Sequence, residues 1–233
     1  MVGMRACPRT PKLQQPLPGL RDANNKYYFV ASQGPKRNSI NDFWRMVWEL
    51  RVYTIVMLTN LKEKGREKCA EYWPTTGGVP LRSGNVTISN QNEDVGDNHV
   101  VRYLVINVRE KIRLVKQYHF TSWPDFGVPS HEHNLLHFLK EVRDTMTYTG
   151  KHIVVHCSAG VGRSGTFIGL WNLVDLLEAQ TIINIINVRC SVLDMRECRP
   201  SMVQSQGESD IQKQLNHGVG GEEVDFKEKV LVR

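Results

Sequence analysis

The segment His156–Gly165, with the sequence HCSAGVGRSG, constrains the fold of this chain more than any other feature. The run His152–His156 is short and apolar, as in a buried strand. After the segment, apolar residues recur at helical spacing and predict a helix with this inner face: Phe167, Leu170, Trp171, Val174 and Leu177. The segment is therefore predicted to be a loop that leaves the carboxyl end of a strand and opens a helix, as in α/β proteins.

This loop has the residue types that are needed to bind a phosphate and to attack it. A glycine-containing loop at the start of a helix directs several backbone N–H groups into one hollow, where the helix dipole adds positive potential. That potential favours the thiolate of Cys157, the nucleophilic form of a cysteine. Arg163 can bind two phosphoryl oxygens with its planar guanidinium, and Ser164 can donate a hydrogen bond to the sulfur. A lone cysteine after a strand is usually a core residue, but the ten-residue combination is far more specific, and it lacks the lysine of a nucleotide-binding loop.

The loop resembles the HCxxGxxR[ST]G signature of the cysteine-based protein tyrosine phosphatases, and other blocks of the sequence agree with this resemblance. The segment Trp123–Pro129, WPDFGVP, is similar to the mobile WPD loop of that family. The resemblance implies that Asp125 protonates the tyrosyl oxygen that leaves and then deprotonates the water of the second step. It also implies that Gln204, which follows the block MRECRPSMV, positions that water.

The resemblance gives a set of candidate site residues and a reaction. The residues expected to take part in catalysis are Cys157, Arg163, Asp125, Ser164 and Gln204. The residues expected to bind the substrate are Ser158, Ala159, Gly160, Val161, Gly162, Arg163, Asp125 and Gln204. The expected reaction is hydrolysis of phosphotyrosine in proteins through a phosphocysteine intermediate, and the resemblance implies no metal ion and no organic cofactor.

Three further blocks resemble phosphotyrosine-specific, receptor-type catalytic domains: Gln33–Pro35, Asp42–Glu49 and Lys68–Pro74. Two charged residues match positions that line the rim of the active site in the family: Glu63, which precedes the third block, and Lys68, which begins it. An equally good interpretation of these two residues is a solvated run of charges.

The resemblance covers about residues 19–206, which we interpret as a phosphatase-like domain whose N-terminal part is missing. Residues 1–18 are rich in proline and are predicted to be an irregular arm, and residues 207–233 are predicted to be a divergent polar tail. We find no match for the family's Asn-Arg-Tyr element, and Glu208 stands where a second glutamine is expected. These departures leave two alternatives open: a catalytically impaired protein that still binds phosphotyrosine, and a splice product that does not fold.

Charge and cysteine content argue against several other functions. The net charge of +6 suits an anionic partner, but the basic residues are dispersed and form no nucleic-acid module. Composition alone does not choose the partner; the resemblance implies phosphotyrosine-containing proteins. Five cysteines without CxxC spacing argue against a disulfide framework or a zinc site. They predict a reducing, cytoplasmic location, either as a free enzyme or as the intracellular part of a membrane receptor. No apolar run is long enough to predict a membrane segment, and the sequence does not indicate an oligomeric state.

The rest of the pattern predicts a central twisted mixed sheet flanked by helices. Strands are expected at Thr54–Thr59 and Val100–Val108, and turns at Gly77-Gly78, Ser83-Gly84 and Ser89–Asn98. The first helix is expected to be capped by Asn41 and to have its aromatic residues on the buried face. The residues at helical spacing are Phe43, Trp44, Val47, Trp48 and Arg51. A later helix, capped by Ser130 and ended by Gly150, is expected to bury Leu135, Phe138, Leu139, Val142 and Met146.

Overall fold

The structure is a computed structural model that describes residues 28–124, 132–145, 152–178, 188–205 and 209–210. The predicted arm of residues 1–18 lies outside this part of the chain, as does most of the predicted tail of residues 207–233. Those two assignments therefore stay predictions.

The described residues form strands, four α-helices and a short 3₁₀ helix. The strands are β1 (Tyr28–Gln33), β2 (Thr54–Met57), β3 (Lys62–Glu63), β4 (Arg66–Glu67), β5 (Leu81–Ser83), β6 (Val86–Val95), β7 (His99–Val108), β8 (Lys111–Phe120) and β9 (His152–Cys157). The helices are the 3₁₀ helix (Arg37–Ser39), α1 (Ile40–Glu49), α2 (Glu132–Thr145), α3 (Gly162–Glu178) and α4 (Val188–Cys198).

Seven strands form one mixed sheet in the order β1-β9-β2-β8-β7-β6-β5. The pairs along β1, β9, β2 and β8 are parallel, and those along β8, β7, β6 and β5 are antiparallel. β2 and β9 are interior strands of the sheet. Almost all of their residues are buried, as expected for strands with helices on both faces. The predicted fold, a mixed sheet flanked by helices, is confirmed.

The two faces of the sheet carry separate clusters of buried side chains. One cluster packs against α2, α3 and α4 and includes Phe138, Phe167 and Trp171. The other packs against α1 and includes Phe43 and Tyr72. Because β9 contributes residues to both clusters, its carboxyl end is held from both sides.

Several sequence-based predictions are confirmed in outline. β2, β7 and β9 lie within one or two residues of the predicted strands, and turns occur at Gly77 and Gly84. The expected inner residues of α2 that the structure describes are all buried: Leu135, Phe138, Leu139 and Val142. Three residues predicted for this helix lie outside the described residues: Ser130, Met146 and Gly150. The side chain of Leu177, predicted for the inner face of α3, also lies outside the described part of the structure.

Two predictions are wrong. Asn41 does not cap α1, because the helix begins at Ile40 and the Asn41 side chain instead accepts a hydrogen bond from Ser83 Oγ at 2.7 Å. The prediction of a turn over the polar stretch Ser89–Asn98 is wrong for Ser89–Val95, because β6 continues to Val95 and pairs with β7, with a register shift between Asn90 and Asn92. Only residues 96–98 connect the two strands. Pairing with β7 satisfies the backbone of this stretch, so its polar side chains can face solvent at the outer end of the strand.

None of the helices in the described parts of the chain is long and apolar enough to cross a membrane.

Candidate active site

The candidate active site lies where the parallel strands end. β9 carries Cys157 as its last residue, opposite Gln33 at the end of β1. Beyond the strands, Gly34 N–H donates to the Ser158 carbonyl at 3.0 Å, and Leu58 N–H donates to the His156 carbonyl at 2.9 Å. The neighbouring strands therefore fix the position from which residues 158–161 lead into α3.

The Cys157 sulfur accepts a hydrogen bond from the backbone N–H of Gly160 at 3.2 Å. The carbonyl of the same peptide unit, that of Ala159, accepts a hydrogen bond from Arg199 Nη2 at 3.2 Å. Arg199 Nε also donates to the Gly160 carbonyl at 2.8 Å. Two carbonyls of the loop thus point away from the sulfur towards a guanidinium. Because the N–H and C=O of a peptide point in opposite directions, Arg199 helps to direct the Gly160 N–H at the thiol.

Gly160 has a conformation and a position that exclude a side chain. Its φ is +74°, in the left-handed region, and a Cβ atom there would lie 2.1 Å from the Ser32 carbonyl oxygen of β1. The loop can therefore pass this close to β1 only with glycine at position 160.

The guanidinium of Arg163 lies beside the loop and is held by three elements of the fold. Its Nη1 donates to the Leu58 carbonyl at 3.1 Å and to Glu63 Oε1 at 2.5 Å. Its Nη2 donates to Glu63 Oε2 at 3.0 Å and to the Pro124 carbonyl at 3.1 Å. The guanidinium also lies over the ring of Trp123, 5.7 Å from its centroid.

Glu63 is a buried partner of Arg163, and neither a rim residue nor a solvated charge. Its side chain is only 3% exposed and accepts further hydrogen bonds from Thr59 Oγ1 at 3.0 Å and Asn60 N–H at 3.3 Å. Burial alone would raise the pKa of Glu63, but the hydrogen bonds and charge of Arg163, with those two further donors, hold the pKa below its usual value. A bidentate pair of this kind fixes the plane of the Arg163 guanidinium.

Lys68 contributes its backbone to the site. Its carbonyl accepts a hydrogen bond from Ser158 Oγ at 3.1 Å, which ties the loop to the segment after β4.

The WPD segment is described only up to Pro124. Trp123 is buried, packs edge-on against Phe120 and lies under Arg163. Asp125 lies outside the described residues, so its role as general acid stays a prediction.

Ser164 and Gln204 lie in different surroundings. Ser164, in the first turn of α3, is fully buried, and its hydroxyl has no hydrogen-bond partner among the residues that the structure describes. Gln204 is exposed and directly follows Val203, whose N–H donates to the Val161 carbonyl at 3.1 Å. Arg196 holds the same segment by donating to the Val203 carbonyl at 2.9 Å. The chain before Gln204 is thus anchored to the loop that follows β9.

Arg199 is a site residue to which the sequence analysis gives no role, and Glu63 is one that it places wrongly. Arg199 belongs to the quoted block MRECRPSMV, but nothing in that block indicates contacts with the loop forty residues earlier. The signal for Glu63 is its position in the strand pair of β3 and β4, where alternation turns it inwards while Lys62 and Lys64 are exposed.

Comparisons with known proteins agree with this geometry. The sequence model of the family described as "Protein-tyrosine phosphatase" matches residues 20–209. Human receptor-type tyrosine-protein phosphatase epsilon is 38% identical over 188 residues, which are 77% of this chain and 26% of that protein. Mouse receptor-type tyrosine-protein phosphatase alpha is 42% identical over 180 residues, which are 76% of this chain and 21% of that protein.

Among solved structures, the catalytic domain of human protein tyrosine phosphatase non-receptor type 18 superimposes with a TM-score of 0.78 at 32% identity. The superposition covers 83% of this chain and 69% of that one. The chain spans about a quarter of the length of the curated relatives named above.

Proposed function

The chain belongs to the protein tyrosine phosphatase family, and we propose that it hydrolyses phosphotyrosine in proteins through a phosphocysteine intermediate. The observation that carries the proposal is the arrangement around Cys157: a thiol that receives a backbone N–H from its own loop, beside a guanidinium held in a fixed plane. This arrangement suits a phosphate that is attacked from one side and bound from the other.

In the first step, the Cys157 sulfur forms a bond to phosphorus while the bond from phosphorus to the tyrosyl oxygen breaks. Asp125 gives its proton to that oxygen, so tyrosine leaves as a neutral phenol. The N–H groups of residues 158–162 stabilise the negative charge on the equatorial phosphoryl oxygens.

In the second step, the oxygen of a water attacks phosphorus, and the sulfur leaves as a thiolate. Asp125 takes a proton from that water, and Gln204 orients it. Ser164 has a buried hydroxyl without a partner among the described residues, which supports its donating a hydrogen bond to the departing sulfur. The products are tyrosine and inorganic phosphate, and the enzyme is regenerated.

Phosphate binding should change the contacts of Arg163. Both terminal nitrogens of its guanidinium already donate to acceptors of the protein. Of the N–H groups of Arg163, only Nε–H makes no hydrogen bond to a residue that the structure describes. To bind phosphate through Nε and Nη2 together, Nη2 would exchange its bond to the Pro124 carbonyl. Because Pro124 directly precedes Asp125, we propose that this exchange lets the WPD segment move as the substrate binds.

We also propose a cytoplasmic site of action with phosphotyrosine-containing proteins as partners. A thiolate nucleophile needs reducing surroundings, and the buried Cys69 and Cys157 are both free thiols.

Phosphate release from p-nitrophenyl phosphate and from a phosphotyrosyl peptide tests the proposal. The unmodified protein should release phosphate from both, and Cys157→Ser should release none. Asp125→Ala should lower kcat by about a hundred- to ten-thousandfold, the usual contribution of a general acid. Cys198→Ser, which removes a partly exposed thiol, and Asp194→Ala, at an exposed position of α4, are matched controls that should keep full activity.

Two outcomes would contradict the proposal in different ways. Phosphate release that persists in Cys157→Ser would eliminate the phosphocysteine intermediate. A folded unmodified protein that binds the peptide but releases no phosphate would instead be a phosphotyrosine-binding protein.

A further inference from the structure

Arg102 on β7 is a buried arginine that the proposed mechanism does not use. Its Nη1 donates to Gln117 Oε1 at 3.0 Å and lies 3.3 Å from His119 Nδ1, both on the adjacent strand β8. Its Nε donates to Glu93 Oε1 at 2.9 Å, and its guanidinium lies 4.4 Å from the centre of the Trp73 ring. Contacts on every side hold this guanidinium in one orientation.

Arg102 fixes the orientation of the Gln117 amide, because a guanidinium can only donate hydrogen bonds. The Gln117 oxygen must face Arg102, so the amide nitrogen faces the hydroxyl of Tyr72, 2.6 Å away. The Tyr72 oxygen therefore accepts from Gln117, and its own proton is left for another acceptor. His156 Nε2 lies 2.7 Å from that oxygen, whereas the alternative acceptor, the Met57 sulfur, lies 3.8 Å away and is weak.

The Tyr72 proton determines which nitrogen of His156 carries a proton. Burial lowers the pKa of His156 to about 3, so the ring is neutral and has one N–H. If Nε2 accepts from Tyr72, the N–H is at Nδ1, and it donates to the Cys157 carbonyl at 3.3 Å. The opposite tautomer would place a nitrogen lone pair against that carbonyl.

A second path leads from Arg102 towards Arg163. His119 Nδ1 faces a donor, so this ring carries its proton at Nε2 and donates to the Thr59 carbonyl at 2.9 Å. Burial, together with the charge of Arg102, lowers the pKa of His119 to about 4, which keeps the ring neutral. Thr59 in turn donates through its hydroxyl to Glu63, the partner of Arg163.

We propose that Arg102 is a positioning residue that sets the direction of two buried hydrogen-bond chains, one ending at the Cys157 carbonyl and the other at the Thr59 carbonyl. By fixing the tautomers of His156 and His119, it holds the backbone of Cys157 and the backbone of Thr59, whose hydroxyl binds Glu63, in one arrangement. This inference deepens the proposed function and rests on it.

Gln117→Glu reverses the first chain while keeping the shape of the side chain. Both carboxylate oxygens only accept, so Tyr72 must donate to Glu instead, and His156 must then donate from Nε2 to the Tyr72 oxygen. The Cδ2 chemical shift of ¹³C,¹⁵N-labelled histidine distinguishes the two neutral tautomers, with the His156 signal identified from its loss in His156→Gln. We expect the His156 signal to change from the Nδ1–H to the Nε2–H tautomer, while the His119 signal, on the other chain, stays where it is.

Turnover provides the second measurement. In Gln117→Glu, a hydrogen bond at the Cys157 carbonyl becomes a repulsive contact, so kcat for p-nitrophenyl phosphate should fall about three- to tenfold. KM should stay within about twofold, because the N–H groups and guanidinium that bind phosphate remain. Arg102→Met, which frees the Gln117 amide to rotate, should give a mixed His156 tautomer and a similar fall, and Arg102→Lys should restore part of the activity.

Arg113→Met is the matched control for Arg102→Met. Arg113 also stacks on a tryptophan, 4.3 Å from the Trp48 ring centre, but it donates to the carbonyls of Val47 and Trp48 at the end of α1. Its loss should lower the melting temperature and leave both kcat and the His156 tautomer unchanged.

The inference is wrong if His156 keeps one tautomer in both Gln117→Glu and Arg102→Met, or if the tautomer changes and kcat does not. Should Gln117→Glu fail to fold, Arg102→Met alone decides between these outcomes. If the unmodified protein releases no phosphate at all, the proposed function fails, and the tautomer comparison still decides the direction of the hydrogen bonds.

Discussion

Mild acid should weaken this fold through two buried neutral histidines, His119 and His156. Burial lowers their folded-state pKa values to about 4 and about 3, whereas an exposed histidine has a pKa of 6.5. Between these values and pH 6.5, the unfolded chain binds more protons than the folded chain. The stabilisation is therefore fully present above about pH 6.5 and is lost progressively as the pH falls.

The size of the loss follows from the unfolded-state pKa alone while the pH stays well above 4. Protonation of one such histidine in the unfolded state lowers the free energy of unfolding by about 0.2 kcal/mol at pH 7.0 and about 1.4 kcal/mol at pH 5.5. His119 and His156 should together cost about 2.5 kcal/mol over this interval, a large part of the stability of an ordinary domain. Burial also lowers the pKa of the partly buried His152, which adds to this loss. Glu63 and Glu93, whose pKa values are lowered in the folded state, lose their contribution only below their usual pKa of 4.5 and do not contribute here.

Urea denaturation at pH 7.0 and pH 5.5 measures this loss. His119→Gln should remove about 1.2 kcal/mol of it, because the variant has one fewer group to protonate. His137→Gln, at an exposed position of α2, should retain the whole loss. If His119→Gln loses as much stability between the two pH values as the unmodified protein, His119 is not held neutral in the folded state and the reasoning fails.

Three further substitutions test the site. Glu63→Gln keeps the shape of the side chain but removes the charge that holds Arg163, so kcat/KM for p-nitrophenyl phosphate should fall about ten- to a hundredfold. An unchanged kcat/KM would show that the ion pair of Glu63 and Arg163 is not needed. Gly160→Ala should lower the free energy of unfolding by more than about 1 kcal/mol, because the new Cβ meets the Ser32 carbonyl and the backbone φ is positive. Thermal melting measures this change, and an unaltered melting temperature would contradict the geometry. Arg199→Met removes two hydrogen bonds to the loop and should weaken inhibition by inorganic phosphate by about tenfold, whereas an unchanged inhibition constant would argue against its role.

The catalytic loop could be predicted from the sequence because its requirements are local. A buried strand, glycines at tight positions and a helix start occur within about fifteen consecutive residues, and each can be read from neighbouring side chains. The same is true of β2 and α2, whose apolar patterns reflect the burial that the structure shows.

The partners of the loop could not be predicted, because they depend on strand order. Glu63 reaches Arg163 across one hundred residues of sequence, and its immediate neighbours are lysines that favour a solvated interpretation. Arg102 meets Gln117, which binds Tyr72, only because β7 and β8 pair in one register. Polar composition was misleading at Ser89–Asn98, where pairing with β7 decides the structure and side-chain polarity does not.

The position of β9 in the sheet has a consequence for the order in which the protein can fold. Among the strands that the structure describes, β1 pairs with β9 alone, and β9 separates it from β2. A ribosome synthesises about 120 residues after β1 before it reaches β9, so until then one edge of β2 and the backbone of β1 lack the partner that they have in the folded sheet. Cys157, the proposed nucleophile, is at the end of the last of the described strands to be synthesised, so a chain that stalls before that insertion lacks the proposed active site and has exposed edges on which it can aggregate.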